Sequence, residues 1–168
     1  GASTLTMQTI ENLYGENKTL WRKIHEIIAA LRFERIHTKE KILEFYLNQF
    51  WVNLNGRGLF IASRFFFDRD PKDLGPLECA FIAGSVKGPA LFNPFREDPK
   101  KKARAIKRIW SRLIYVLERG ADYRPEKYQA LSEAFSGLKD AEQLPEFLEQ
   151  QGAVFKKGKF RFQSGSLA

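Results

Sequence analysis

Helical spacing of apolar side chains dominates this chain of 168 residues and limits the folds that it can adopt. Apolar residues recur every three or four positions over most of its length. Alternation with a period of two occurs in the segment AVFKKGKFRF, around Lys157-Gly158, and is typical of a β-hairpin. The pattern therefore predicts a mainly α protein with a small C-terminal hairpin. The predicted helices cover residues 3–13, 19–36, 39–50, 58–67, 76–86, 99–119, 125–135 and 140–150.

Local signals set the ends of several of these helices. Ser3 and Thr38 are the residue types that cap helix N-termini, so each is predicted to begin a helix. Gly15 and Gly120 each follow an apolar-periodic segment and are predicted to end a helix. The run Phe65-Phe66-Phe67 is predicted to lie in the core.

The helix in KTLWRKIHEIIAALRFE, residues 18–34, combines an apolar stripe with three charges. Glu26 follows Arg22 by four positions and Lys23 by three, so the three side chains are neighbours on the helix surface. The stripe is predicted to face the core and consists of Ile24, Ile27, Ile28 and Leu31. From the helix alone, the charges fit either an ordinary surface ion pair or part of a binding site.

The formal net charge of +8 and the pI near 9.6 favour an anionic partner. Nucleic acid, anionic lipid head groups and a phosphorylated substrate all satisfy that charge. The basic run between residues 100 and 112 is either a solvated helix face or a contact for lipid head groups or for the phosphates of a polymer.

Cysteine and histidine contents exclude two classes of site. The single cysteine, Cys79, lies in the apolar segment LECAFIAG and is predicted to be a buried structural thiol. With two histidines, His25 and His37, and no second cysteine, a zinc site is not expected. No apolar run approaches the length of a membrane span.

Four motifs resemble the peptidoglycan glycosyltransferases of family 51, the transglycosylase domains of class A penicillin-binding proteins and their monofunctional relatives. GASTLTMQ, at residues 1–8, is similar to the second family motif, and RKIHEIIAALRFE, at 22–34, is similar to the third. KEKILEFYLN, at 39–48, is similar to the fourth. GRGLFIASRFFF and ECAFIAGSVKGPALFNPFR, within 56–96, are similar to the fifth and the segment after it. The motifs keep the order and spacing of the family over about residues 1–120.

The resemblance implies a lysozyme-like lobe that polymerises lipid II, a disaccharide-pentapeptide on an undecaprenyl diphosphate. It implies that Arg22, Lys23 and Lys87 bind the donor diphosphate, with Ser3, Thr4 and Gln8 lining the same site. Glu26 would be the catalytic carboxylate, orienting these cations or binding a divalent cation, Mg²⁺ or Mn²⁺. The side chains implied to contact the membrane are Leu13, Tyr14, Leu20 and Trp21.

Two departures from the family pattern bear on activity. The first family motif, Glu-Asp followed by Phe and His, supplies the general base and does not occur in these residues. Glu11 stands where many members carry a lysine that contacts the donor phosphates. We therefore expect an N-terminally truncated glycosyltransferase domain at residues 1–120, inactive on its own, and a helical extension at 121–168 with the hairpin.

The resemblance also implies a location and partners. The expected place is the outer, periplasmic face of the bacterial cytoplasmic membrane, with a fused or separate transpeptidase as a further partner. Two alternatives stay open. The chain could bind lipid-linked cell-wall intermediates without polymerising them, or it could be a basic helical domain that binds nucleic acid, which the motifs disfavour.

Overall fold

The protein is mainly α-helical, as its sequence predicts. A computed structural model describes residues 4–14, 20–52, 56–86 and 88–158, and only the backbone of residues 14 and 20–23. The α-helices are α1 (Leu5–Tyr14), α2 (Leu20–Ile36), α3 (Lys39–Leu47), α4 (Leu59–Phe67), α5 (Pro76–Ser85), α6 (Pro99–Tyr123), α7 (Pro125–Ser136) and α8 (Leu144–Gln150). Short 3₁₀ turns lie at Pro71–Asp73, Pro89–Phe92 and Ala141–Gln143.

Side-chain oxygens cap three of the helices. Thr38 Oγ1 accepts a 3.3 Å hydrogen bond from the Lys41 amide, which confirms the predicted start of α3. Asp98 Oδ1 accepts a 2.8 Å bond from the Lys101 amide at the start of α6. On α1 the capping bond goes to Thr4 Oγ1, 3.2 Å from the Met7 amide. The predicted cap, Ser3, lies outside the described residues.

The chain divides into two compact units, Gly1–Phe50 and Trp51–Ala168. In the first unit, α1 packs against α2 and α3. The inward positions of α1 are Thr6, Thr9 and Ile10, at helical spacing. Thr6 Oγ1 donates a 2.5 Å hydrogen bond to Glu34 Oε1 and so ties α1 to the C-terminal half of α2.

The apolar stripe of α2 is exposed, so the prediction that it faces the core is wrong. Its four side chains are 44–56% exposed, whereas Glu26 and Ala30 are 2% and 5% exposed. At 100° per residue, the centre of the stripe lies about 130° around the helix from this buried face. Ala30 explains the choice of face, because its small side chain allows another helix to approach closely.

Aromatic rings join α2 to α3 at the far end of the same unit. The Phe33 ring lies 4.4 Å from the His37 ring and 5.4 Å from the Phe45 ring, measured between centroids. His37 and Phe45 are 5.5 Å apart, in an edge-on arrangement. Such tilted contacts are favourable for aromatic side chains and fix the angle at which α3 leaves α2.

A cluster of phenylalanines forms the core of the second unit and confirms the predicted burial of residues 65–67. Phe66 is fully buried, and its ring lies 4.8 Å from those of Phe65 and Phe81. The amide of Lys156 donates to the Phe66 carbonyl, so the C-terminal segment runs along α4. Residues 153–158 are irregular, and the remainder of the predicted hairpin lies outside the described residues.

Helix α6 is longer than predicted. It runs to Tyr123, whereas the sequence predicts an end at Gly120. Gly120 lies where α7 crosses α6, and a Cβ on Gly120 would stand only 2.9 Å from Tyr128 Cγ. Gly120 therefore allows α6 and α7 to pack closely and does not end α6. None of the described helices combines the length and apolarity needed to cross a bilayer.

Cys79 corrects a second burial prediction. Its side chain is exposed, because α5 turns Leu77, Ala80 and Phe81 toward the core instead. Partial desolvation nevertheless raises the pKa of the Cys79 thiol, an effect that the nearby charge of Lys127 opposes. The thiol form is therefore favoured near neutral pH.

Candidate functional site

Glu26 is the one carboxylate on the buried face of α2, and it is 2% exposed. A carboxylate buried to this extent is stable only when cations or hydrogen-bond donors surround it. The helix is continuous over Leu20–Ile36, so its geometry places Arg22 and Lys23 one turn earlier on the same side. The side chains of these two residues lie outside the described part of the chain.

A cavity of about 580 Å³ opens beside Glu26, between α1 and α2. This volume falls within the ordinary range of small-ligand sites, about 300–1,000 Å³. Its polar lining comes from His25, Glu26 and Arg32. Its apolar lining is Ile10, Ile28, Ala29, Phe33 and Ile36. A mixed surface of this kind suits a ligand that has both a charged and an apolar part.

Small and self-bonded side chains create the space for this cavity. Ala29 fills little of the volume over the middle of α2. Behind it, the fully buried Thr9 hydroxyl donates a 2.9 Å hydrogen bond to the Leu5 carbonyl of its own helix. That bond satisfies the Thr9 hydroxyl within α1.

Sequence analysis missed His25 and Arg32 as lining residues. They are seven positions apart, two helical turns, and so project from the same side of α2. Both are exposed, whereas Glu26 is buried, so two basic side chains border a buried carboxylate. The spacing of seven was available in the sequence and identifies this face.

The other predicted site residues are only partly placed. Thr4 and Gln8 lie at the N-terminal end of α1, and neither lines the cavity beside Glu26. Thr4 acts as a helix cap, and Gln8 is half-buried, as is Glu11. Ser3 and Lys87 lie outside the described residues. Their contacts with a ligand, like those of Thr4 and Gln8, stay predictions.

The predicted membrane contacts are also partly placed. Leu13 is 61% exposed near the end of α1, where it is available to an apolar partner. Tyr14 and Leu20 are helical, as is Trp21, but their side chains lie outside the described part of the chain.

The described residues do not provide the donor set of a metal site. Among them, no group of three or more His, Cys, Asp or Glu side chains is arranged to hold a cation. Mg²⁺ usually takes one or two carboxylates plus water and substrate phosphates. Glu26 is the one carboxylate among the residues that line its cavity, so this lining supplies at most one carboxylate ligand, and the divalent cation stays a prediction.

Comparison with known proteins identifies the family. The transglycosylase family model matches residues 1–117. Penicillin-binding protein 2D of Bacillus subtilis is 35% identical over 145 residues, which cover 83% of this chain and 21% of that protein. Penicillin-binding protein 1B of Vibrio cholerae is 31% identical over 176 residues, covering 98% of this chain and 22% of that protein.

A third relative shows higher identity over a shorter stretch. Penicillin-binding protein 1B of Buchnera aphidicola is 45% identical over 100 residues, covering 56% of this chain and 14% of that protein. The chain thus spans about a fifth or less of the length of these relatives. The family match includes α2, with Glu26 and its cavity, and extends through most of α6. The chain belongs to the transglycosylase family of peptidoglycan glycosyltransferases.

Proposed function

We propose that this chain forms the donor-binding part of a peptidoglycan glycosyltransferase that polymerises lipid II into glycan strands. The observation that carries the proposal is the buried Glu26 beside a cavity of about 580 Å³. That carboxylate lies on the helix that also bears Arg22 and Lys23. Cations organised by a buried carboxylate, next to an apolar wall, suit a diphosphate joined to a lipid.

The proposed reaction needs cations beside the leaving diphosphate. The sugar 4-hydroxyl of the acceptor attacks the anomeric carbon of the donor, and the bond from that carbon to the diphosphate oxygen breaks. The hydroxyl proton passes to a general base, and negative charge grows on the leaving diphosphate. Arg22, Lys23 and Lys87 would stabilise this charge, because fixed positive groups act most strongly where charge develops. Arginine can also bind phosphate oxygens in a bidentate manner.

Glu26 would act by holding Arg22 and Lys23 in position. Long basic side chains lose conformational freedom when they bind, so an anchoring carboxylate reduces the cost of ordering them at the moment of binding. Glu26 would supply one carboxylate ligand to the predicted divalent cation, which would offset negative charge on the diphosphate. Ser3, Thr4 and Gln8 would add hydrogen bonds around the same group.

The exposed apolar side chains of the first unit support a lipid-facing role. Leu13, Ile24 and Leu31 are each about half exposed or more, and soluble surfaces seldom expose so many large apolar groups close together in the sequence. We propose that this surface, with Tyr14, Leu20 and Trp21, faces the outer leaflet of the cytoplasmic membrane. A transpeptidase, fused or separate, would then cross-link the glycan product.

Binding of a phosphoglycolipid donor mimic, such as moenomycin, tests the assignment. In a calorimetric titration, Arg22→Ala should weaken binding about 10- to 100-fold, the loss expected for a charge-assisted hydrogen bond. Arg35→Ala removes the same charge from an exposed position on the same helix and should change affinity less than about threefold. Equal losses of affinity in the two variants would show that Arg22 is an ordinary surface residue.

A non-catalytic binder is the second candidate, because the 168 residues contain no Glu-Asp pair followed by Phe and His. Incubation of the chain with labelled lipid II separates the two parts of the proposal. We expect binding of lipid II without polymer, since loss of a general base lowers rates about 10²- to 10⁴-fold. Polymer formed at the rate of an intact family member would show that the base lies within these residues.

A further inference from the structure

The basic half of α6, in the unit formed by residues 51–168, carries a groove that the donor-binding proposal does not use. This groove, of about 500 Å³, runs along the helix, and we call it the α6 groove. Its lining residues are Phe92, Arg104, Lys107, Arg108, Ser111 and Arg112. It therefore brings four cations, a hydroxyl and an aromatic ring to one surface.

Helix geometry explains why these cations are close together. Arg104, Arg108 and Arg112 follow each other at intervals of four residues, and Lys107 precedes Ser111 by four. At 1.5 Å per residue, the three arginines span about 12 Å along the axis. The other side of α6 is anchored in the core by Ile109, which is 1% exposed.

Within the described part of the chain, no carboxylate forms an ion pair with a cation of the groove. The ion pairs among the described residues involve other cations, and none includes a lining residue of the groove. Two acidic residues precede this segment: Asp98 caps α6 through its bond to the Lys101 amide, and Glu97 is exposed. Four like charges within about 12 Å repel each other, so an anion in the groove would relieve an unfavourable arrangement.

The position of Arg112 is determined by its packing. A Cβ on Gly84 would stand 2.6 Å from Arg112 Cγ, so the glycine leaves room for the arginine stem to cross α5. The Arg112 guanidinium also lies 5.9 Å from the centroid of the Tyr115 ring, within cation–π range. These two contacts aim the cation before any ligand arrives.

Apolar groups border the groove. Phe92 forms one wall, and its neighbour Leu91 is 49% exposed. Tyr115, which is 53% exposed, stands between Arg112 and Arg119, 5.8 Å from the latter. Cations flanked by exposed apolar and aromatic side chains are typical of surfaces that settle at the boundary between head groups and acyl chains.

We propose that the α6 groove binds the phosphodiester head group of an anionic phospholipid at a bilayer surface. The groove is long enough for one head group, and its apolar border would contact the glycerol and the first carbons of the acyl chains. A nucleic-acid duplex fits less well, because its phosphates form an extended track and offer no apolar surface to Leu91 and Phe92. This site does not depend on Glu26 or on the donor-binding proposal.

Sedimentation with lipid vesicles tests the proposal on the full 168-residue chain. The vesicles contain phosphatidylcholine with about 30 mol % phosphatidylglycerol, or phosphatidylcholine alone, in about 0.1 M salt. The variant Arg104→Gln/Arg108→Gln removes two charges from the groove. The matched control, Lys139→Gln/Lys157→Gln, removes two charges from exposed positions elsewhere in the same unit.

We expect the groove variant to bind the anionic vesicles about thirtyfold more weakly, since each basic side chain near an anionic surface contributes about a factor of five. The control should lose less than about threefold. Equal losses would show that net charge alone drives binding, and would overturn the proposal. Tighter binding of a DNA duplex than of the anionic vesicles, at the same salt concentration, would also overturn it.

A second variant tests the groove in case the double variant Arg104→Gln/Arg108→Gln does not fold. Ser111→Asp introduces a carboxylate into the groove at an exposed helix position and leaves every cation in place. It should weaken binding to anionic vesicles at least about fivefold, since it offsets one basic charge of the groove. Unchanged binding by this variant, with a normal thermal melt, would contradict the assignment of the groove.

Discussion

The hydroxyl of Thr6 donates a 2.5 Å hydrogen bond to Glu34 Oε1 across the interface between α1 and α2. Thr6 is 5% exposed, whereas Glu34 belongs to the exposed side of α2. The bond therefore lies at the edge of the interface, where its carboxylate can still be hydrated. It holds α1 against the helix that carries Glu26 and so helps to keep the cavity open.

A double-mutant cycle with Thr6→Val and Glu34→Ala should give a coupling energy of about 1 kcal/mol, the usual net value of such a bond. Unfolding by urea supplies the four free energies. The control cycle uses Lys41 and Glu44, an exposed ion pair of 2.8 Å, for which we expect a few tenths of a kcal/mol. A coupling energy for Thr6 and Glu34 no larger than that of the control pair would show that this bond does not stabilise the packing of α1.

The reversed burial on α2 makes a second prediction. Leu31→Gln should change the free energy of unfolding by less than about 0.5 kcal/mol, because Leu31 is 56% exposed. Ala30→Leu should cost about 1–3 kcal/mol, because Ala30 is 5% exposed and the added carbons have no space. Chemical denaturation of both variants checks the order. A larger loss from Leu31→Gln would place the apolar stripe in the core.

The exposed apolar stripe of α2 shows what sequence periodicity does not predict. The spacing of Ile24, Ile27 and Leu31 correctly predicts an amphipathic helix, and Thr38 correctly marks the next one. Periodicity identifies an apolar face but does not say what covers it. A helix that contacts lipid and a helix that packs in a core have the same pattern. The distinction came from Ala30, whose small size allows close packing and whose pattern signal is weak.

A third prediction concerns Gly120, where the effect of a substitution on stability depends on Tyr128. Alone, Gly120→Ala should destabilise the protein by about 1 kcal/mol or more, because the new Cβ meets Tyr128 and the overpacking cost exceeds the gain in helix propensity. In a Tyr128→Ala background the contact with the ring is gone and a 3.3 Å contact with Cβ remains, so the same change should cost less than it does alone. Thermal melts of the four proteins give the answer. Stabilisation in both backgrounds would contradict the close contact.

The same glycine explains an error of one helical turn in the predicted end of α6. A glycine after an apolar-periodic segment usually ends a helix, and Arg119-Gly120 has that form. This capping rule fails here because Tyr128 of α7 packs against position 120, where a side chain would not fit. Contacts between helices are not visible in a window of neighbouring residues. The shared face of His25 and Arg32 was visible in their spacing, but the cavity beside it was not.

Cys79 gives a prediction about pH. Desolvation raises its pKa in the folded protein, so the reactive thiolate is scarcer there at pH 8 than in the unfolded chain. Alkylation by iodoacetamide should be slower in the folded protein, with its midpoint at a higher pH than in urea. The gap should close as the pH rises above the folded pKa. Because Cys79 is the only cysteine, total labelling reports it directly. Equal midpoints would contradict the shift.

The last prediction concerns Glu26, whose buried carboxylate is proposed to position Arg22 and Lys23 for the donor diphosphate. Glu26→Gln keeps the size and shape of the side chain but removes the charge that holds the two cations. We expect affinity for the phosphoglycolipid mimic to fall at least about tenfold, or about 1.4 kcal/mol. Glu118→Gln is the matched control, since it makes the same change at an exposed position of α6, away from the cavity beside Glu26. Its effect on affinity should stay within about twofold.

A thermal melt of each variant separates a binding effect from a folding effect. Should Glu26→Gln fail to fold, Glu26→Asp keeps the charge on a shorter stem and should fold and bind measurably, with affinity between that of the original protein and that of Arg22→Ala. Because Glu26 lies beside the cavity and Glu118 does not line it, only the first change removes a charge from the proposed site. Identical affinities for the Glu26→Gln and Glu118→Gln proteins, both folded, would reject the positioning role.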